Sequence, residues 1–512
     1  MVTTPVALSL AVVVLVAFAA LGVWRTRGNV ASVEDLVTAR NSTGRRRTTA
    51  SLVASVMGVW ILFSAPEAGA GFGIAAVIGY GVGEAVPMLA YAKLGPRIRE
   101  VLPEGHSLTE YAQARYGTAF YAFVVVVSAL YMFVFLAAEL TGIASALSLV
   151  AGVPQYQTAV LVGGFVLAYT AYGGSLFTDA VQAVFVLPLL ALTVVAAVLA
   201  LGGPVAVVGG VRATAPTLLD PGFLPGLQFG FGLAFAILGA ELVNQTWWQR
   251  VYAADGADTV VDSFRRAAGI NGALVVVAAL FGVIAVGHAD VVADVTNSAY
   301  NADVAFFVLL EAAFPEWAVL AVVLLALLLV MSSVDTLFNG LSSLVTVDVA
   351  RLRPTASNRR LALGARAFTV LVALAAVYVS LRARSVLRLF FLADLLGAAV
   401  GFPLVYGLFS RSLTGRGALA SSVAGLAVGL AYFPDLRGYI TAVPVVGDAL
   451  PAADPLYLTG FGGAFVVSTA LALVAARVSD ATVDLDAVAD SVTRLDDDAT
   501  DRRVDPTTPT DD

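Results

Sequence analysis

Ser332 and Ser333 stand side by side after the aliphatic run Leu329-Val330-Met331. Two adjacent hydroxyls in apolar surroundings are oxygen ligands suited to a hard, weakly bound ion; serines so placed can equally bond back to the preceding helical turn. A second group is Ala54-Ser55-Val56-Met57-Gly58-Val59-Trp60, continued by Ser64-Ala65-Pro66-Glu67-Ala68-Gly69. Gly58 and Pro66 weaken a helix at membrane depth, and a break there frees backbone carbonyls that can coordinate a small cation. A packing glycine and a helix-ending proline would give the same letters. The third group is the acids set in apolar sequence: Glu67, Glu84, Glu139, Glu241 and Asp335. An acid at mid-membrane costs roughly 2.5–3.5 kcal/mol, so each either lines a path or is packed as a neutral group. Glu84 and Glu241 lie deepest in their apolar spans. Glu241 is one helical turn before Asn244 and shares its face. A carboxyl there can pair with a cationic or amine-bearing solute, or stay protonated and donate.

Only a membrane-spanning framework makes these positions meaningful, and the composition supplies one. Of 512 residues, 59% are hydrophobic and 13% charged, about half the charge of a soluble chain. Apolar runs near 20 residues recur, each long enough to cross about 30 Å of hydrocarbon. The expected fold class is all-α, a polytopic membrane protein of about 13 transmembrane helices. They are expected near 5–24, 49–66, 69–95, 118–149, 157–174, 180–202, 226–246, 267–288, 316–343, 364–381, 386–409, 415–433 and 456–476, with a short interfacial or re-entrant stretch at 304–314. The first run lacks a basic n-region and a cleavage site, so it reads as a retained helix.

The chain has no cysteine and two histidines, which excludes thiolate chemistry and disfavours a His-built metal site. No basic stripe with aromatics suggests nucleic acid. With the N-terminus outside, 24 of the 29 basic residues fall on the inner side and 5 (Arg212, Arg382, Arg384, Arg388, Arg437) on the outer. Ser107 and Glu110 form a capping-box pattern closed by Gly117, so 107–116 is expected to be a short cytoplasmic helix. Residues 1–478 are expected to form the membrane domain, and 479–512 an acidic, disordered, cytoplasmic tail with eleven aspartates from Asp480. One lysine, Lys93, against 28 arginines suits the salt-rich cytoplasm of a halophile; GC-rich codon use gives the same bias.

Four stretches, in order, carry a resemblance. Ala168-Tyr169-Thr170-Ala171-Tyr172-Gly173-Gly174, then Thr178-Asp179-Ala180-Val181-Gln182, is similar to the signature of the sodium:solute symporter family. So are Asn244-Gln245-Thr246-Trp247-Trp248-Gln249-Arg250, the Ser332-Ser333 helix running to Thr346-Val347-Asp348, and Leu108-Thr109-Glu110-Tyr111 to Gly117. The resemblance covers about 45–410 and includes the family's bacterial proline, pantothenate and sugar carriers.

The resemblance implies a 5+5 inverted-repeat core (about 48–410) with a broken first core helix. It implies Na+ as coupling ion, held by the carbonyls of Ala54, Met57 and Leu329 and the hydroxyls of Ser332 and Ser333. Asp179 falls on the family's ion-exit aspartate. Solute is expected beside the break, at Trp60, Glu84, Glu241, Asn244 and Gln245. Val56, Ile61 and Ala240 depart from the family's sugar carriers. The function implied is sodium-coupled import of a small organic solute, such as an amino acid, a monocarboxylate or a urea-like compound, across the plasma membrane by alternating access. A transporter-like sensor or a polytopic membrane enzyme are the alternatives.

Overall fold

The structure is a computed structural model and describes residues 3–26, 39–170, 182, 187–294, 296–352, 358–383 and 385–492. Among these the chain is helical, with one isolated backbone bridge, Thr43 to Ala254. Each of the thirteen expected stretches contains a helix. Among the described residues, seven helices are long and apolar enough to cross a bilayer alone, and two bent pairs raise the number to nine. Thr4–Ala20 and Val370–Ser380 are shorter apolar helices.

Five departures from the expected pattern stand out. The run expected at 49–66 is helical only over Arg45–Val56, followed by a 3-10 turn at Val59–Leu62. Pro66 does not break anything: it lies in the first turn of Ser64–Val101, where a missing N–H is tolerated. That 38-residue helix would be about 57 Å long if straight, nearly twice the hydrocarbon thickness. Gly73, at φ 68°, turns the chain inside it, and its Cα side lies against the Leu218 backbone, where a Cβ would come within 2.6 Å. The helix expected over 226–246 stops at Leu242 and restarts at Gln245. The tail is structured in its first part: Leu485–Asp490 is a helix that buries Leu485 and Val488, and Val492 beyond it is also buried. Residues 493–512 lie outside the described residues.

The loops sort into two sets. Arg40 donates to the carbonyls of Pro103 and Gly105, Arg99 to those of Val251 and Ala254, and Arg115 to those of Gly407 and Ser410. Every loop in that set belongs to the basic group of the charge count. On the other set, Tyr300 and Ser385 both donate to Glu67, and Arg388 meets Asp435 at 4.0 Å. The expected helix at 107–116 is present as Leu108–Tyr116, with the Ser107 hydroxyl accepting the Glu110 N–H at 3.1 Å.

Candidate functional site

Two broken helices face one long helix, Thr118–Ala151. Its residues Ser128, Tyr131, Phe135 and Glu139 are spaced three, four and four apart, so they form one stripe about 16 Å long. At one end of the stripe Glu139 reaches the first break. At the other, Ser128 and Tyr131 reach the second.

The first break lies between Val56 and Val59. Met57 has φ −81° and ψ 78°, and Gly58 is extended. A side chain at 58 would collide with the Glu139 carboxylate, which is why glycine stands there. Glu139 accepts the Val59 N–H at 2.9 Å and the Trp60 N–H at 3.4 Å. A carboxyl group therefore caps the second half of the helix at its N-terminal end. On the other side, the freed carbonyls of Ala54 and Met57 each accept from the amide nitrogen of Gln182, at 3.1 Å for Ala54. The Trp60 indole N–H closes on the Val56 carbonyl at 2.7 Å.

The helix Glu316–Leu352 packs against Arg45–Val56 and the 3-10 turn. Leu329, Ser332 and Ser333 on it are buried, and the Ser333 hydroxyl has no hydrogen-bond partner. An orphaned hydroxyl beside a helix with freed carbonyls is a set of hard oxygen donors, and it fits a small cation such as Na+. The residues of the expected ion site are thus brought onto two packed elements. Asp179 lies outside the described residues.

At the second break, Val243 and Asn244 leave the helical conformation. Asn244 caps the next helix itself, accepting the Thr246 N–H at 3.0 Å. The Tyr91 hydroxyl donates to the carbonyls of Glu241 (3.2 Å) and Leu242 (3.4 Å), and Ser128 to that of Val243 (2.9 Å). Glu241 accepts from Tyr131 at 2.8 Å, from Asn244 at 3.0 Å and from the Trp247 indole. Gln245 faces elsewhere: it accepts the Leu108 N–H and donates to the His106 carbonyl, tying this helix to the short helix at Leu108–Tyr116.

Between the breaks runs a line of rings. Trp60 stacks on Tyr80 (6.0 Å) and meets Phe390 edge-on (5.7 Å); Phe390 meets Phe135 (5.0 Å), and Phe135 meets Tyr131 (6.2 Å). Glu84, one turn after Tyr80, and Asp394, one turn after Phe390, lie within electrostatic reach of each other and of Glu241. All three carboxyls are buried, and one oxygen of Glu84 has no partner. Asp394 was not among the sequence candidates, although a lone acid in the apolar run Val386–Tyr406 is the same signal that marked Glu84. The sequence marks Glu139 as a membrane acid but not as the cap of the break, and gives Gln182 no role of its own.

The Sodium:solute symporter family profile matches residues 36–425. Spermidine transporter DUR31 of Candida albicans is 26% identical over 359 residues, 68% of this chain and 65% of that protein. The match therefore spans just under two thirds of that relative's length. A Na+-coupled sialic acid symporter, solved in a substrate-bound outward-open state, aligns with a TM-score of 0.70 at 15% identity, over 91% of this chain and 98% of that one. Mhp1, a nucleobase-cation-symport-1 family transporter solved in a closed conformation with bromovinylhydantoin bound, gives 0.53 at 13% identity, over 89% and 98%. At such identities the likeness is one of fold: an all-α, inverted-repeat transporter with a broken first core helix.

Proposed function

The chain belongs to the sodium:solute symporter family, and from that premise we propose that it is a sodium-coupled symporter importing a small organic amine in its protonated form. The carrying observation is the break at Met57–Gly58, which follows a helix packed against the helix that carries Ser332 and Ser333. In this reading Na+ binds the carbonyls of Ala54, Met57 and Leu329 and the hydroxyls of Ser332 and Ser333, and draws the two helices together. Asp179 serves its release, as the sequence signature implies.

The solute class follows from what fills the break and what surrounds it. Half-helix N-termini in such folds face anionic solute groups. Here Glu139 already occupies that position, which disfavours a monocarboxylate. Glu84, Glu241 and Asp394 gather three carboxyl groups beside a ring-lined path, a setting that can receive an ammonium group on carboxyl oxygens and ring faces. Glu241 has three donors on it, so Glu84 and Asp394 are the acids with capacity for a solute, with Trp60 as a wall. Asn244 positions Glu241, and Gln245 braces the inner loop. The name of the Candida relative points the same way.

One Na+ moving inward at 100 mV releases roughly 2.3 kcal/mol, about a fifty-fold gradient of a neutral solute. A monovalent amine carried with it doubles that charge. The charge bias and the two loop sets support an outer N-terminus and an inner tail in the plasma membrane. The test is uptake into proteoliposomes under an imposed sodium gradient, with spermidine, putrescine, proline, lactate and urea as solutes. Sodium-dependent, electrogenic accumulation of the amines is expected. Accumulation of lactate but not of either amine would overturn the solute class, and uptake indifferent to sodium would overturn the coupling.

A further inference from the structure

Gln182 is fully buried and touches the first break through one end only. Its amide nitrogen has two hydrogens, and it donates to the carbonyls of both Ala54 and Met57. Its carbonyl oxygen is buried without a partner. On the helix packed against the same segment, the Ser333 hydroxyl is also buried without a partner. A glutamine serving as a simple brace would have both ends satisfied, because buried polar atoms rarely stay unpaired.

The orientation of this amide is fixed by chemistry. Turned the other way, its oxygen would face two carbonyl oxygens with no hydrogen between them. That arrangement is repulsive unless a cation lies among the oxygens. With a cation there, the same arrangement becomes a ligand set. The two ends of one carboxamide thus suit two states of one site.

We propose that Gln182 is a switching ligand of the coupling-ion site. Without the ion, its nitrogen end stands in for the cation on the Ala54 and Met57 carbonyls. When Na+ arrives, the amide turns about its terminal bond and gives its oxygen to the ion. A neutral amide can do this where a lysine could not, because it holds the carbonyls without placing a permanent charge in the site. The inference rests on the sodium-coupled reading above, and adds a sixth residue to the five oxygen donors named there.

Tracer sodium binding to the purified full-length protein tests it without any solute. Gln182→Glu keeps a ligand oxygen, removes the competing donor and adds charge, so half-maximal binding should come at several-fold lower sodium. Gln182→Leu fills the space and removes both ends, so half-maximal binding should need about ten-fold more sodium. Shifts of opposite sign cannot come from general loss of folded protein. Shifts in the same direction, or none in either variant, would make Gln182 a structural brace and overturn the proposal. If the wild type itself binds no sodium saturably, the sodium-coupled reading falls, and this inference with it.

Discussion

The two broken helices of this protein are the same device finished in two ways. At the second break, Asn244 caps its own helix, and hydroxyls of Tyr91 and Ser128 on neighbouring helices hold the freed carbonyls. At the first, only the Trp60 indole, on the Val56 carbonyl, comes from nearby in sequence. Glu139, eighty residues on, holds the N–H groups, and Gln182 holds the carbonyls from 128 and 125 residues away. A hydroxyl donates and accepts through the same oxygen, so it cannot swap a donor end for an acceptor end at those carbonyls. An amide can, by turning over. The contrast separates a break that fixes a helix in place from one whose partner can be exchanged for an ion.

The largest effect should follow removal of the remote cap. Glu139→Ala leaves two buried N–H groups without acceptors, at about 1–3 kcal/mol each. Sodium-driven uptake should fall by about a hundred-fold or more in protein that still elutes as a single species. Uptake within a few-fold of wild type would show that the first break is as self-sufficient as the second. Next comes the space between the breaks. Glu84→Gln removes the acid with a free oxygen and should raise the amine concentration for half-maximal uptake by about ten-fold. Glu241→Gln, acting on an acid already bonded three ways, should raise it by about two- to three-fold, and in neither case should half-maximal sodium move by as much. A larger sodium effect from either would place these acids at the ion site.

Much of this was legible in the chain. Gly58 stood out because glycine in a long apolar run has few uses, and Ser332-Ser333 because paired hydroxyls are costly there. Helix limits followed from hydropathy to within a few residues in most spans. The second break was not legible, since Val243-Asn244 carries no proline or glycine. Nor was the turn at Gly73, where apolar sequence runs on unbroken through a left-handed residue. The partners of the first break were hidden for a different reason: a side chain about eighty or more residues away leaves no local pattern. Composition misled in the tail, where abundant aspartates masked the spacing of Leu485, Val488 and Val492, which is an apolar helix face.

The smallest expected effect is at the second break. Asn244→Ala loses a helix cap worth about 1 kcal/mol, which should lower the thermal midpoint by a few degrees. Half-maximal sodium should stay within two-fold, because no ion ligand is touched.

The most direct test compares thermal unfolding of wild type, Ser333→Ala and Asn244→Ala in sodium and in choline. A ligand that binds only the folded protein stabilises it by about 2.7 kcal/mol at a hundred times its dissociation constant. Wild type and Asn244→Ala should both unfold several degrees higher in sodium than in choline, and Ser333→Ala should lose most of that difference. A full sodium shift in Ser333→Ala, or its loss in Asn244→Ala, would contradict the assignment of the ion to the first break.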